Sequence, residues 1–183
     1  MRTIFIIGFL LITGWLYGQK PGSSGINVGV EGGKILLHSP DFGFDDRGLN
    51  AMLRLQYETR LDDSTYWASF YGYPRISLEL NYTRYSAYEA LGNSIGAIAI
   101  VKIPLIRIQR FSTEFNIGTG LAFFHRIYDP MKNPGNTAIS TSVNNLTHFG
   151  MKFIYNVNES QGFELGASFW HSSNGSINKP NRG

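Results

Sequence analysis

The chain lacks cysteine, carries little charge and shows no long helical pattern. The absence of cysteine excludes disulfide bonds and thiolate metal sites. A net charge of +3, without a cluster of lysine and arginine on one helical face, argues against nucleic-acid binding. What is present is a chain of 183 residues that is 43% apolar, with 21 glycines, 13 phenylalanines and 10 tyrosines. This composition is too apolar and aromatic for disorder, and the length suits one domain.

The amino-terminal residues have the pattern of a secretory signal. Arg2 precedes an apolar stretch at 4–16, and Gly18 supplies a small residue at a cleavage point. The stretch is too short to span a bilayer comfortably, and its flanks are those of a signal peptide. The alternative is an ordinary first helix of a soluble domain. We predict a signal peptide at 1–18 and an exported domain at 19–183.

From Gln19 onward, apolar and polar residues alternate in runs that end at glycine, proline, asparagine or aspartate. This period of two predicts β-strands. In the clearest run, Ile76 and Leu78 alternate with Ser77 and Glu79. The predicted strands are at 26–37, 50–59, 75–84, 94–105, 111–125, 144–156 and 163–171.

These strands are longer than the five or six residues typical of soluble sheets. Runs of about ten residues, apolar on one face and small or polar on the other, are typical of transmembrane β-strands. Aromatic residues near the strand ends fit the interfacial girdles of such proteins. The alternative is a soluble barrel of the lipocalin type, with an apolar interior and a polar exterior. Predicted inward positions for Glu79, Glu114 and Glu164 favour the membrane barrel.

Seven strands are an odd number, whereas bacterial single-chain membrane barrels have an even number and closed edges. We therefore predict an all-β fold, an eight-stranded antiparallel up-and-down transmembrane β-barrel. Seven of its strands are present, and the last is expected beyond Gly183. Because side chains fill the interior of an eight-stranded barrel, conduction is not the predicted function.

A histidine and a serine close the last predicted strand. His171 and Ser173 are two residues apart, ~6.6 Å along a strand, so their side chains point the same way. Parity places them with Phe163 and Phe169 on the lipid-facing wall, and strand counting from a periplasmic amino terminus places them at the outer leaflet. An imidazole can take a serine proton, and Asn174 or backbone N–H groups near it can hold an oxyanion.

The acid that would complete such a site is missing from this face. Glu79, Glu114 and Glu164 all have the parity of the interior. A lone histidine at a membrane interface is usually an ordinary amphipathic side chain. We apply that interpretation to the other three histidines, which are His38, His125 and His148.

Short motifs in the chain resemble a known family. The residues that carry the resemblance are His171-Ser172-Ser173-Asn174, then Pro180-Asn181 and Gly183, and the stretch from Gly72 to Arg75. They are similar to the H-x-S-N…P-N-x-G segment, and to the start of a strand, in the PagL-type lipid A 3-O-deacylases, also called acyloxyacyl hydrolases. The most specific match lies at 171–183, and elsewhere the likeness is one of architecture.

The resemblance implies that Ser173 is the nucleophile and His171 the base, with Asn174 and Asn181 as oxyanion contributors. It puts the third member of the triad, a glutamate, about two residues beyond Gly183. The implied reaction is hydrolysis of the 3-O-linked acyl ester of lipid A, with no metal or cofactor. The implied partner is lipopolysaccharide in the outer leaflet, and the implied location is the bacterial outer membrane.

Other features leave alternatives open. Three basic residues are candidates for contacts with lipid A phosphates or are ordinary loop charges: Arg84, Arg126 and Lys179. Three aspartates suggest Ca²⁺, although their glycine-rich surroundings favour a turn: Asp41, Asp45 and Asp46. The alternative function is a non-enzymatic small outer-membrane barrel, structural or adhesive. The sequence leaves the oligomeric state open, with a homodimer as one alternative.

Overall fold

A computed structural model describes residues 11–16, 24–36, 43–44, 48–62, 64–158 and 161–180. Its strands are β1 Leu11–Leu16, β2 Ser24–Gly33, β3 Asn50–Arg60, β4 Arg75–Arg84, β5 Asn93–Ile108, β6 Phe111–Phe124, β7 Val143–Asn156 and β8 Gln161–Ser173. A 3-10 helix spans Ser69–Tyr71, and a single turn of α-helix, α1, spans Tyr88–Leu91. Strands β2 to β8 confirm the seven predicted strands, with ends shifted by a few residues. No helix in the described ranges is long and apolar enough to cross a membrane.

Each strand from β2 to β8 pairs antiparallel with its neighbours in the chain, which is the order of an up-and-down barrel. Strand β1 pairs with β8, where Leu11 lies opposite Gly166, and it also lies beside β2. The sheet therefore curls round on itself. Trp170 of β8 donates from Nε1 to the Glu31 carboxylate of β2 at 3.3 Å across the interior. These pairings confirm the predicted fold class.

Strand β1 occupies the edge of β8 where the sequence leads us to expect a further strand. A free strand edge leaves N–H and C=O groups unpaired, and pairing with an apolar segment satisfies them. This segment belongs to the predicted signal peptide, of which residues 1–10 and 17–18 lie outside the described residues. The signal peptide therefore stays a prediction.

Apolar side chains cover the outside of the barrel, and polar side chains fill much of its interior. On β4, Leu78 and Leu80 are 63% and 55% exposed, whereas Glu79 between them is 2% exposed. Glu114 and Glu164 are buried as well, as predicted. This distribution is the reverse of a soluble barrel's, so the lipocalin-type alternative is wrong.

Ion pairs between strands balance the charges inside the barrel. Three cations that point into the barrel each bond to two partners: Arg54 to Glu31 and Glu79, Arg75 to Glu58 and Glu114, and the fully buried Lys102 to Glu58 and Gln56. Lys152 adds a pair with Glu164 at 2.9 Å. Because an unpaired buried charge is very costly, this network fixes which face of each strand turns inward.

The two ends of the barrel differ. The end at which β8 finishes, called the site end from here on, carries the connections 85–92 and 125–142 and the segment 174–180. The opposite end, the far end, carries 61–74 and the turns after β5 and β7. Toward the site end the interior becomes apolar, and Ile139 of the 125–142 connection packs into this core. The buried amide of Asn136 donates to the backbone oxygen of Ala90 at 3.0 Å, which ties 125–142 to α1.

Candidate active site

His171 and Ser173 lie on the outer face of β8, as their parity predicts. On the inner face of this strand, Glu164 is buried and Trp170 bonds to Glu31. On the outer face, Phe169 is exposed, and the ring of His171 stacks beside it with centroids 6.4 Å apart and planes 12° apart. The histidine is therefore held against an apolar neighbour and directed away from the interior.

Ser173 is the last residue of β8, at the point where the chain turns away from the sheet. Its Oγ accepts a hydrogen bond from the backbone N–H of Gly175 at 2.9 Å, a local turn that fixes the hydroxyl at the rim. Gly175 has φ +63°, a conformation that glycine adopts without steric cost. No hydrogen bond joins Ser173 to His171 in the part of the chain that the structure describes.

Polar side chains that the sequence did not single out continue the site onto two further strands. Thr147 of β7 lies opposite His171, and Asn145 lies opposite Ser173. Thr119 of β6 lies opposite Thr147 in turn. All three face outward, among apolar side chains. Two of them could have been found from the sequence of β7, because Asn145 and Thr147 interrupt the row of apolar residues on its outer face.

A hydrogen-bonded cluster holds the segment that follows Ser173. The Asn174 side chain donates from Nδ2 to Ser140 Oγ and to the backbone oxygen of Asn178, both at 2.9 Å. Ser140 Oγ donates to the same backbone oxygen of Asn178, and Asn178 Nδ2 donates to the backbone oxygen of Ser140 at 2.8 Å. Ser140 and Asn174 are buried. We call Ser140, Asn174 and Asn178 the loop clasp, since they join 125–142 to 174–180.

The clasp changes the interpretation of Asn174. Both the donor and the acceptor of its side chain are hydrogen-bonded within the loop, because Nδ2 donates to the clasp and Oδ1 accepts from the Ser176 N–H at 3.0 Å. A side-chain contribution to an oxyanion hole therefore competes with the clasp. Asn181 lies outside the described residues. The oxyanion roles of both asparagines stay predictions.

The remaining sequence candidates lie away from the pair or outside the described residues. The interfacial interpretation of His148 is wrong, because its ring is buried inside the barrel with its centroid 4.1 Å from that of Trp170. Arg84 and Arg126 flank the ring of Tyr88 at 5.2 and 5.5 Å, so both contribute to the packing of α1. Those outside the described residues are His38, Asp41, Asp45 and Asp46. His125 and Lys179 are exposed at the site end.

Carboxylates on the described strands β2 to β8 all face the interior and bond to other side chains: Glu31, Glu58, Glu79, Glu114 and Glu164. In the described ranges, no three histidine, aspartate or glutamate side chains are grouped to hold a metal ion. The chemistry available on the outer face is therefore that of an imidazole and a hydroxyl two residues apart on one strand.

The fold and the site together define a small up-and-down β-barrel that carries a histidine and a serine at the end of one strand, on its apolar outer wall. The model of the family described as Lipid A 3-O-deacylase (PagL) matches residues 51–183, from β3 to the segment after β8, and the chain belongs to this family. The family consists of outer-membrane enzymes that remove an acyl chain from lipid A. No curated protein and no solved structure matches the chain.

Proposed function

We propose that this protein hydrolyses the 3-O-linked acyl ester of lipid A at the lipid-facing wall of its barrel, with Ser173 as nucleophile and His171 as base. The observation that carries the proposal is the outward position of both side chains at the end of β8, in a member of the lipid A deacylase family. A substrate that is itself a bilayer lipid can reach such a site by lateral diffusion.

The composition of the outer wall supports contact with lipid. Large exposed apolar side chains run round β4 to β8: Leu78, Leu80, Ile95, Ile117, Leu121, Phe123, Phe149, Met151, Phe153, Phe163 and Phe169. Soluble monomers rarely expose apolar surfaces of this extent, and a continuous belt fits a bilayer better than a local partner.

The two ends support a location of the site in the outer leaflet. Outer-membrane barrels have short periplasmic turns and longer extracellular loops. Apart from the 14-residue connection 61–74, the far end carries short turns such as the two-residue turn at Gln109 and Arg110, whereas the site end carries the 18-residue connection 125–142. Exposed aromatic side chains at the far end, including Tyr66 and Phe70 with ring centroids 5.7 Å apart, suit the opposite membrane interface.

The proposed reaction has two halves. In the first, Ser173 Oγ attacks the ester carbonyl carbon while the His171 imidazole takes the hydroxyl proton. N–H groups of Asn174 and Asn181, the predicted contributors, stabilise the oxyanion; the bond between carbonyl carbon and sugar oxygen breaks, and the imidazolium gives its proton to the departing sugar oxygen, which becomes the free 3-hydroxyl. In the second half, water attacks the acyl-enzyme with His171 as base. The fatty acid leaves, and Ser173 regains its proton.

The test compares lipid A from outer membranes that contain the wild-type protein, Ser173→Ala, His171→Gln or Ser172→Ala. We expect the first two substitutions to lower the deacylation rate by roughly 10³-fold or more, since a nucleophile and its base act as a unit. Ser172→Ala is the matched control, because its side chain belongs to the inner face of β8. Mass spectrometry reports the loss of one acyl chain, and the heat-dependent gel mobility of the barrel reports folding. Undiminished deacylation by folded Ser173→Ala would refute the proposal.

A further inference from the structure

Three polar side chains lie in line with the His171–Ser173 pair on an otherwise apolar wall. We call Thr119, Asn145 and Thr147 the polar row. Strand register sets Thr119 opposite Thr147 and Thr147 opposite His171, so β6, β7 and β8 present one band of polar groups. Exposed neighbours on the same face of β7 are apolar, with Val143 on one side and Phe149 on the other. The band is local to the candidate site.

Hydrogen bonds hold the polar row as one unit. Thr147 Oγ1 donates to Asn145 Oδ1 at 2.8 Å, and Asn145 Nδ2 donates to Thr119 Oγ1 at 3.3 Å. A hydroxyl can donate once and accept twice. Thr119 therefore keeps its own proton for another acceptor, and Thr147 keeps its lone pairs for another donor. The row offers both kinds of group to a molecule lying on the wall.

Polar groups on a lipid-facing wall are unfavourable unless they are hydrogen-bonded, because acyl chains supply no partners. The internal bonds of the polar row satisfy only part of its capacity. A glycolipid whose sugar carries hydroxyl and amide groups would satisfy the rest, while its acyl chains lie against Phe149 and Phe169.

We propose that the polar row is a subsite that hydrogen-bonds the hydroxyl and amide groups of an acylated sugar next to the ester that is cleaved. This inference rests on the proposed function and names how the site recognises its substrate. The polar row fixes the sugar relative to Ser173, so that one ester among several on the same lipid reaches the nucleophile.

The test uses the double variant Asn145→Leu with Thr147→Val. Both substitutions place apolar side chains on a lipid-facing wall, so the barrel is expected to fold at least as well as the wild type. The matched control is Asn93→Leu, which removes a half-buried asparagine whose Nδ2 donates to the Tyr82 hydroxyl at 3.1 Å. Two rates are compared in mixed micelles: lipid A deacylation, and covalent labelling of Ser173 by an alkyl fluorophosphonate, which carries no sugar.

For the double variant, we expect kcat/KM for lipid A to fall roughly 10- to 100-fold, mainly through KM, as the loss of one or two hydrogen bonds requires. Labelling of Ser173 should stay within about twofold of the wild type, and Asn93→Leu should change neither rate. An unchanged kcat/KM for lipid A overturns the inference. An equal fall in both rates also overturns it, because the polar row would then support the reactivity of His171 and Ser173 and would not bind the sugar. If the wild-type protein deacylates lipid A without labelling at Ser173, the serine-nucleophile proposal fails instead, and this inference fails with it.

Discussion

Replacing Ser140 with alanine tests whether catalysis depends on the loop clasp. The Ser140 hydroxyl accepts from Asn174 at 2.9 Å and donates to the backbone oxygen of Asn178, and both bonds are lost in Ser140→Ala. Two bonds survive, because Asn174 still reaches the Asn178 oxygen and Asn178 still reaches the Ser140 oxygen. The segment after Ser173 is therefore loosened, while the strands of the barrel keep their own hydrogen bonds.

The magnitude follows from the two bonds that are lost. A neutral hydrogen bond contributes about 0.5–1.5 kcal/mol net, so the pair contributes about 1–3 kcal/mol. Since 1.4 kcal/mol corresponds to about a factor of ten, kcat/KM is expected to fall roughly 5- to 150-fold if the active geometry needs a closed clasp. The unfolding midpoint of the barrel should change little, because the clasp lies outside the sheet.

The assay follows deacylation of lipid A in micelles by mass spectrometry, with gel mobility after heating as the measure of unfolding. Ser140→Thr keeps a hydroxyl and should recover most of the rate. Ser142→Ala is the matched control, since its side chain makes no hydrogen bond to the described residues. Wild-type activity in Ser140→Ala, or an equal loss in Ser142→Ala, would refute the reasoning.

Two further predictions concern the barrel itself. Lys102→Met removes one of the two cations that neutralise the buried Glu58 carboxylate, and it should lower the free energy of unfolding by about 3–5 kcal/mol. Urea unfolding in lipid vesicles measures this free energy. A loss below about 1 kcal/mol would contradict the stabilising role of the ion-pair network. Leu80→Arg places a charge on the outer wall, at a cost of about 2–4 kcal/mol if that wall lies in the bilayer core. The same urea assay measures this cost, with Met131→Arg in the exposed 125–142 connection as the control. Equal free energies of unfolding for Leu80→Arg and Met131→Arg would argue against a lipid-facing wall.

The strands and their faces could be predicted from the sequence because both depend on a local pattern. Alternation with a period of two identifies a strand and sorts its side chains into two sets. Deciding which set turns inward required one more observation, the regular positions of Glu79, Glu114 and Glu164. Each of them is buried, and the same parity put His171 and Ser173 on the outer face.

Contacts between distant segments could not be predicted in this way. The loop clasp joins Ser140 to Asn174 and Asn178 across more than thirty residues, and nothing local to either segment indicates the partner. The polar row depends on strand register, which puts Thr147 opposite His171 and Thr119 opposite Thr147. A single sequence leaves that register undetermined, since a shift by two residues preserves the faces while changing every cross-strand neighbour.

The filled interior gives a physical reason why the proposed catalytic site would lie on the outer wall. A lipid cannot enter a barrel whose interior holds Arg54, Arg75 and Lys102 in ion pairs between strands, because opening it would leave buried carboxylates unpaired. The middle of the wall is equally unsuitable, since the acyl-enzyme needs water and the bilayer core excludes it. Ser173 ends β8 at the rim, where an acyl chain lying along Phe169 and water from the interface can both reach the ester. On the proposed function, lipid substrate, nucleophile and water meet at the end of this outward-facing strand.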